Sequence, residues 1–507
     1  MSARRKFFKR GATLTAVGLA MKTVGMLFGA FVSRAVGAEG VGLYTVVMTV
    51  YSFAVTFATS GISLTVTRLV AGAIGEGRGG ELGKIMRASV IYALTFGAAA
   101  SSFLFLGSEL ISSIVLSDAR ASASLKILAL SLIPVALCSA FSGYFVGVKR
   151  VGFNAAVQVL SQLFKILLTF ILVSGLKDGE IVSAVIALCL GITLTELLAL
   201  LLIMLEYFID RRIHGGKRRE RGREGIGEVA KAALPLAISA YVRSVLTTLE
   251  HILIPRRLMS RGENNSEAYS HYGTLHGMAL PLVLYPMSPL SSFSGLLVPE
   301  FAEDSAAGNA GRMERVAREA LNTTLTYAIL SAVLLFYFAE ELGYAVYGSH
   351  DAGRFISVLA LIVPIMYMDH VTDGMLKGIG EQVYSMWVNI TDSLISVLLV
   401  YILIPPLGIL GYAVVIVVME GYNFLLSIMR LRRRIRLRID LVGSAVVPCL
   451  AAFFSAYLTD KLFASQGSLA TGATLVPKMI FTLSAFALIM SVSRLITKRK
   501  SSKLINN

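Results

Sequence analysis

Apolar runs of about 18 to 25 residues recur along almost the whole chain, and this pattern restricts the fold more than anything else in it. A run of that length is what a helix needs to cross the roughly 30 Å hydrocarbon core of a bilayer. Fourteen such spans are expected, near residues 11–33, 42–66, 87–108, 123–146, 153–174, 181–208, 229–254, 274–298, 320–339, 354–376, 383–404, 408–429, 440–460 and 474–494. Composition agrees: 55% of the 507 residues are hydrophobic and 15% charged, against about 25% charged in soluble domains. The class expected is an all-α integral membrane protein. The start, RRKFFKR before an apolar run from Gly11 to Ser33, resembles a signal peptide. That run is longer than the usual cleaved segment of about 7 to 15 residues and carries Lys22, so it reads as a retained first span.

Charge placement gives the topology. Lys and Arg number 47 against 31 Asp and Glu, a net charge of +16, which in a soluble chain would suggest nucleic acid. Here the basic residues fall in clusters at alternate connections, as the positive-inside rule requires. Those clusters are RRKFFKR, Lys149 with Arg150, the run from Arg211, Arg312 with Arg315 and Arg318, RLRRRIRLR from Arg430, and the terminal KRKSSK. The opposite connections are short and mixed or acidic, with PRRLMSRG at Pro255 a partial exception. A multi-pass protein of the bacterial cytoplasmic membrane with both termini cytoplasmic is expected, and nucleic acid is not an expected partner. Cys138, Cys189 and Cys449 lie far apart within apolar segments and have neither zinc-site nor disulfide spacing.

An internal repeat orders the spans. GVGLY around Gly42 matches HYGTL around Gly273, LAL at 128–130 matches LAL at 359–361, and GYFVG at 143–147 matches GMLKG at 374–378. All three share one offset of 231 residues (273 − 42, 359 − 128, 374 − 143), although Pro134 and Pro364 are one residue closer. The expected organisation is a six-helix half over 1–210, a basic cytoplasmic linker over 211–228, a second six-helix half over 229–430 in the same orientation, and two extra helices with a basic tail over 431–507. Parallel repeats of this kind are a transporter architecture, with the substrate site near the bilayer midplane.

KTVGMLFGAFVSRAVGAEGVGLY from Lys22, GISLTVTRLVA from Gly61, GYFVGVKR from Gly143, ALPLAIS from Ala233, ILIPRRL from Ile252, YGTLHGMALPL from Tyr272 and LVPEFAE from Leu297 occur in an order that resembles one family. This is the multidrug/oligosaccharidyl-lipid/polysaccharide exporter superfamily, and within it the stage V sporulation protein B-like polysaccharide flippases. The resemblance implies outward movement of undecaprenyl-pyrophosphate-linked sugars. It also implies membrane lipids and cell-wall or spore-cortex synthesis enzymes as partners, and no cofactor. Lys22 matches a basic residue of the related lipid II flippases, whereas the second basic residue and adjoining Asp of those proteins fall on Phe28 and Gly29.

Ionisable residues inside spans are costly and should face a cavity or a partner. Lys22, Arg34, Arg68, Arg243, Arg256 and Arg257 are the candidates for a pyrophosphate, which Arg meets with a planar fork of donors and Lys with a compact charge. Snorkelling to the headgroups is the alternative for Arg34, Arg68, Arg256 and Arg257, while Lys22 and Arg243 are too central for it. Glu250, Asp369, His370, Asp373 and Asp392 are candidates for an ion or proton site, with Glu196, His251, His276, Glu420 and Asn423 as further polar positions. Asp369 and Asp373, four apart, share a helix face. A metal-binding helix would need a second His at i+4 and a third ligand, so no metal site is expected. Gln158, Gln162 and Lys165 form a polar stripe on span 5. The glycine-rich GEGRGG at Gly75 lacks the Lys-Ser/Thr of a phosphate loop and reads as a cytoplasmic turn.

Three functions compete. A flippase for lipid-linked oligosaccharide or peptidoglycan precursor needs no ATP, and the chain has no nucleotide-binding motif. A cation-coupled exporter of small molecules in the same fold would use Asp369, Asp373 or Asp392 for coupling. An intramembrane enzyme would need a sizeable external loop or a convergent His/Glu/Asp set, and the longest external connection is only Pro255 to His271. Under the 231 offset Asp369, His370 and Asp373 correspond to Cys138, Ser139 and Ser142, so the acidic patch belongs to the second half alone and reads either as an ion or proton site or, in preference, as a structural polar partner for another helix.

Overall fold

The computed structural model describes residues 3–505 except 60, 78, 177–179, 215–225, 438 and 464–470. The side chains of RRKFFKR and KRKSSK, and most of the basic linker, lie outside the described residues. Within them the chain is helical and has no strand. Among the described residues, eleven helical stretches are long and apolar enough to cross a membrane, twelve if one bent pair is a single span. The expected fourteen is not reproduced by this measure. Its first stretch, Ala20–Gly75, is 56 residues long and takes in two of the expected spans, and the helix carrying Lys231, Arg243 and Glu250 is not among the eleven.

The chain divides into two compact units. One comprises 35–273 with 400–405, and the other 1–34 with 274–399 and 406–507. Helix α1 (Ala3–Thr59) contributes to both and is kinked at Gly37, whose φ of 70° lies in the left-handed region that favours glycine. The first unit contains the end of α1, α2 (Ile62–Gly75), α3 (Leu82–Leu110), α4 (Ala121–Gly147), α5 (Val151–Ser174), α6 (Ile181–His214), α7 (Ile226–Ser260) and the short α8 (Asn265–Tyr272). At its centre α4 packs against α2, α3 and α6, while α7 packs against α2 and α3. The second unit adds to the start of α1 the helices α9 (Leu280–Leu284), α10 (Ser288–Ala306), α11 (Ala310–Tyr337), α12 (Ala339–Leu342), α13 (His350–Ala360), α14 (Val363–Gly378), α15 (Gln382–Leu407), α16 (Ile409–Arg434), α17 (Val447–Phe463) and α18 (Thr471–Ile505). There α14 is central, against α10, α11 and α16, and α17 packs on α18 and α11. Each unit therefore contains the first span of the other sequence repeat.

The 231 offset recurs in the folded chain. A Cβ on Gly143 of α4 would stand 2.5 Å from the Ser63 carbonyl oxygen, and one on Gly147 would meet Val70 at 2.7 Å. Their counterparts on α14 pack on α10: a Cβ on Gly374 would fall on Ser294 Oγ, and one on Gly378 would stand 2.6 Å from Phe301 Cβ. Ser294 follows Ser63, and Phe301 follows Val70, by that same interval (294 − 63, 301 − 70). Small residues let the two backbones approach in each case. The repeat-related Gly42 and Gly273 also meet each other, since a Cβ on Gly273 would stand 2.5 Å from the Gly42 nitrogen.

Helix ends repeat as well. Both α4 and α14 close through a left-handed residue, Lys149 (φ 62°) and Gly380 (φ 83°), followed by an N–H that returns to the helix, Arg150 to the Phe145 carbonyl at 2.8 Å and Glu381 to Leu376 at 2.9 Å. The π-helical turns at Ile111–Val115 and Gly343–Tyr347 end at Ser117 (φ 57°) and Gly348 (φ 69°). One difference falls in the central helix. Pro134 lies inside an unbroken α4, whereas α13 and α14 meet at a 58° bend with Pro364 in the first turn of α14. The one-residue shift of the proline coincides with that break.

Candidate functional site

Asp369 and Asp373 project from α14 into a cavity of about 220 Å³ within the second unit. Met366 and His370 of the same helix, Ser385 and Asn389 of α15, and Glu420, Asn423 and Ser427 of α16 complete most of the wall. Ser427 hydrogen-bonds Asp369, and Asp392 of α15 acts electrostatically on both Asp369 and Glu420. Lys377 Nζ lies 2.6 Å from Asp373, one turn along α14. Lys22 of α1 is exposed and, with Lys377, acts on the His370 ring. Three buried oxygens on this wall, Asp369 Oδ1, Ser385 Oγ and Asn423 Oδ1, have no hydrogen-bond partner among the described residues. Such atoms destabilise a buried site unless it accepts something that bonds to them.

The locus is rich in carboxylate and amide oxygens, a set that suits a proton or a hard monovalent cation. Among the described residues no group of three His, Cys, Asp or Glu side chains has the geometry of a metal site. Its repeat counterpart in the first unit has the same framework and different charges. Position by position, Asp369, Asp373, Asn389, Glu420 and Ser427 correspond to Cys138, Ser142, Gln158, Cys189 and Glu196. In that unit Asn154 donates to Ser142 Oγ at 2.8 Å, and Lys165 of α5 faces Glu196 of α6 electrostatically. The first unit thus holds its own cation at this depth, and the second gathers several acids with Lys22 and Lys377 at the edge.

The basic candidates have diverse surroundings. Arg34 donates to the carbonyls of Val346, at 3.0 Å, and Ala345 in the π-helical turn of the second unit. Its repeat counterpart Asn265 donates to the Ser117 carbonyl, at 3.1 Å, just past the equivalent turn of the first unit, so each anchors a π-helical turn at matching positions of the repeat. Arg68 on α2, Arg243 on α7 and Arg256 near its end are exposed. Arg257 stacks over the Tyr401 ring at 3.7 Å and donates to the Tyr401 carbonyl at 3.1 Å. Glu250 on α7 acts on Tyr272, whose hydroxyl is 3.2 Å from His251 Nδ1. The second unit therefore brings Asp369, His370, Asp373 and Asp392 together, with Lys22 acting on His370, whereas Arg68, Arg243, Arg256, Arg257 and Glu250 are not part of that cavity's wall.

Ser385, Asn389 and Ser427 had not been singled out from the sequence. Their signal is a polar stripe at helical spacing: Ser385, Asn389, Asp392 and Ser396 on α15, and Glu420, Asn423 and Ser427 on α16.

A family model described as polysaccharide biosynthesis protein matches residues 7–304, more than half of the chain. The chain belongs to the polysaccharide biosynthesis protein family. Its fold is the one seen in solved transporters of the multidrug/oligosaccharidyl-lipid/polysaccharide exporter superfamily. A second model, MatE, matches residues 277–402, which include Asp369, Asp373 and Asp392. Among curated relatives, this family member is 25% identical over 421 residues to stage V sporulation protein B of Bacillus subtilis, covering 82% of this chain and 81% of that protein. It is 21% identical over 374 residues to sporulation protein YkvU of the same organism, covering 73% and 82%. The fold is similar to the lipid II flippase MurJ in an inward closed conformation, with a TM-score of 0.69, 16% identity and coverage of 94% of this chain and 99% of that one. It is also similar to an inward-facing multidrug resistance MATE family transporter, with a TM-score of 0.64, 14% identity and coverage of 82% and 95%.

Proposed function

We propose that this transporter is a flippase that moves an undecaprenyl-pyrophosphate-linked oligosaccharide or peptidoglycan precursor outward across the bacterial cytoplasmic membrane by alternating access. Both termini are cytoplasmic in this reading. The halves 1–210 and 229–430, joined by the basic linker 211–228, rock to open outward, and 431–507 is an appendage. Lys22, Arg34, Arg68, Arg243, Arg256 and Arg257 are the cations available to the pyrophosphate, Lys22 and Arg243 foremost, and cell-wall or spore-cortex synthesis enzymes are the partners.

The observation that carries this reading is that Lys22 belongs to the same compact unit as the acidic locus and acts electrostatically on His370 in its wall. A cation suited to phosphate and groups suited to a proton or monovalent cation lie in one compact unit. Occupancy of the locus then alters the field at Lys22 and thereby its hold on an anionic headgroup. Outward movement of each negative charge across an inside-negative membrane gains about 2.3 kcal/mol per 100 mV, so coupling at Asp369 and Asp373 can assist transport without being its sole drive.

The test is the appearance of lipid-linked sugar at the outer leaflet of cells or proteoliposomes. Lys22→Ala and Arg243→Ala should abolish it, and unchanged flipping in both would refute the pyrophosphate assignment. Asp369→Asn with Asp373→Asn should remove its dependence on pH or sodium. A cation-coupled exporter of small organic cations is the second reading, favoured by the MatE match over the acidic helices. Drug accumulation assays separate the two, because only an exporter lowers the internal concentration of such cations.

A further inference from the structure

The glycine-rich turn that lacks phosphate-loop chemistry borders a cavity of about 780 Å³ in the first unit. Its wall includes Gly80 and Gly83 next to that turn, Lys84 and Arg87 of α3, Phe141 of α4, and Met204, Tyr207, Phe208 and Arg211 of α6. Both α3 and α6 pack along α4, and the cavity lies between their ends. The Arg211 guanidinium rests against Gly83: a Cβ there would stand 2.8 Å from Nη2, so any other residue would displace it. Tyr207 also hydrogen-bonds Arg211. Arg87 is exposed and forms no ion pair among the described residues. Among the described residues this wall carries three cations, Lys84, Arg87 and Arg211, and one acid, Glu81.

The apolar side of the cavity distinguishes a lipid from a soluble anion. Val90, Met204 and Phe208 line it. Leu94 on α3, and Leu201 and Leu205 on α6, continue the same helix faces away from the cations and are exposed at 46%, 65% and 58%. A ligand that fits has a phosphate at one end and hydrocarbon at the other. Basic pockets between the cytoplasmic ends of membrane helices bind anionic lipid headgroups for this reason.

We infer that Lys84, Arg87 and Arg211 form a binding site for the headgroup phosphate of an anionic phospholipid of the cytoplasmic leaflet, with its acyl chains along α3 and α6. This inference takes from the proposed function only that the α2–α3 turn faces the cytoplasm, and its readout is lipid binding, which does not depend on flipping. Full-length protein in a neutral detergent is titrated with fluorescent phosphatidylglycerol, with phosphatidylcholine as the uncharged comparison and inorganic phosphate and pyrophosphate as soluble competitors. Removing one cation should weaken phosphatidylglycerol binding about fivefold in Arg87→Gln, and removing two about thirtyfold in Arg87→Gln/Arg211→Gln. The first variant alters only an exposed, unpaired side chain and so should fold normally. Arg432→Gln/Arg433→Gln removes the same charge from the exposed end of α16 and should leave binding within about threefold. Equal loss in that control would overturn the site in favour of general charge attraction. Displacement of the lipid by phosphate or pyrophosphate at equal concentration would overturn the lipid assignment.

Discussion

The repeat-related glycines Gly143 and Gly374 should differ sharply in their tolerance of a methyl group. Alanine at Gly143 places its Cβ 2.5 Å from the Ser63 carbonyl oxygen, 3.0 Å from Val66 Cβ and 3.1 Å from Ser63 Cα. All three atoms are backbone or branch points of α2, so relief requires α4 and α2 to separate. Overpacking of this kind costs about 1 to 3 kcal/mol, against a gain of about 1 kcal/mol from alanine in a helix interior. At Gly374 the obstacle is Ser294 Oγ, which can rotate away, and the next atoms, Ser294 Cβ and its carbonyl oxygen, stand at 3.2 Å. Rotation gives up the 3.3 Å bond from Ser294 to the His370 carbonyl, worth about 0.5 to 1.5 kcal/mol and offset by the same helix gain. Gly374→Ala should therefore be close to neutral and Gly143→Ala destabilising by up to about 2 kcal/mol. Thermal unfolding in detergent, followed by loss of the monodisperse chromatographic peak, ranks the two. Adding Ser294→Ala to Gly374→Ala should leave stability at least as high as Gly374→Ala alone. The reasoning is refuted if Gly374→Ala unfolds at or below the temperature of Gly143→Ala.

Further outcomes follow from the polar contacts. Arg430, at 2.8 Å, and Arg434, at 2.5 Å, hold the Glu381 carboxyl below the usual glutamate range. Its contribution to stability is then complete above the unfolded pKa and lost as pH falls through the lower folded value. Melting temperature should accordingly drop between about pH 5 and 3 in the native protein, and Glu381→Gln should start lower at pH 7 and decline less. Arg34→Ala leaves the Ala345 and Val346 carbonyls without their cation and should destabilise by about 1 kcal/mol, more than Asn265→Ala at the repeat counterpart, as measured by the same unfolding assay. Arg257→Lys keeps charge and loses the flat stack on Tyr401, a cation–π contact worth about 0.5 to 1 kcal/mol at an exposed site, and double-mutant cycles with Tyr401→Leu should recover that coupling.

Features written in local hydropathy or in a repeated word were legible before the fold was known. Membrane helices, their all-α class and the Gly42, Gly143 and Gly374 correspondences belong to this group. Asp369 and Asp373 were also legible, because two acids four apart in an apolar helix must share a face. The break between α13 and α14 was not: Leu361 and Ile362 are apolar, and Pro364 in a first helical turn is compatible with an unbroken span. Nor was the grouping of α7 with α2 and α3, since hydropathy reports which helices meet lipid or core and is silent on which helices meet each other. Arg34 shows the limit most plainly. Its sequence context suits a phosphate ligand, yet the turn it anchors lies 311 and 312 residues further along the chain.

Comparison of the two repeats separates what the fold needs from what function has added. At the end of the central helix the architecture requires a charge pair and is indifferent to its sign: Arg150 pairs with Asp210 in the first unit, while Glu381, at the matching position, pairs with Arg430 and Arg434 in the second. Inversion preserves the contact, so this pair reads as a structural clamp. Deeper in the helix the correspondence is of another kind. Lys165 and Glu196 compensate each other, whereas their counterparts are Ser396 and Ser427 and the neighbouring positions carry Asp369, Asp373, Asp392 and Glu420. A merely structural seam would be expected to keep its charges balanced by its own side chains, because unpaired charge within a membrane is costly. Among the described residues the second unit instead concentrates acid with Lys22 and Lys377 as the cations acting on it, and leaves Asp369 Oδ1 without a hydrogen-bond partner. An imbalance maintained on one side of an otherwise matched pair is what the proposed proton or cation site requires, and Asp369→Asn with Asp373→Asn separates that role from packing: transport that keeps its pH and sodium dependence assigns the acids to packing.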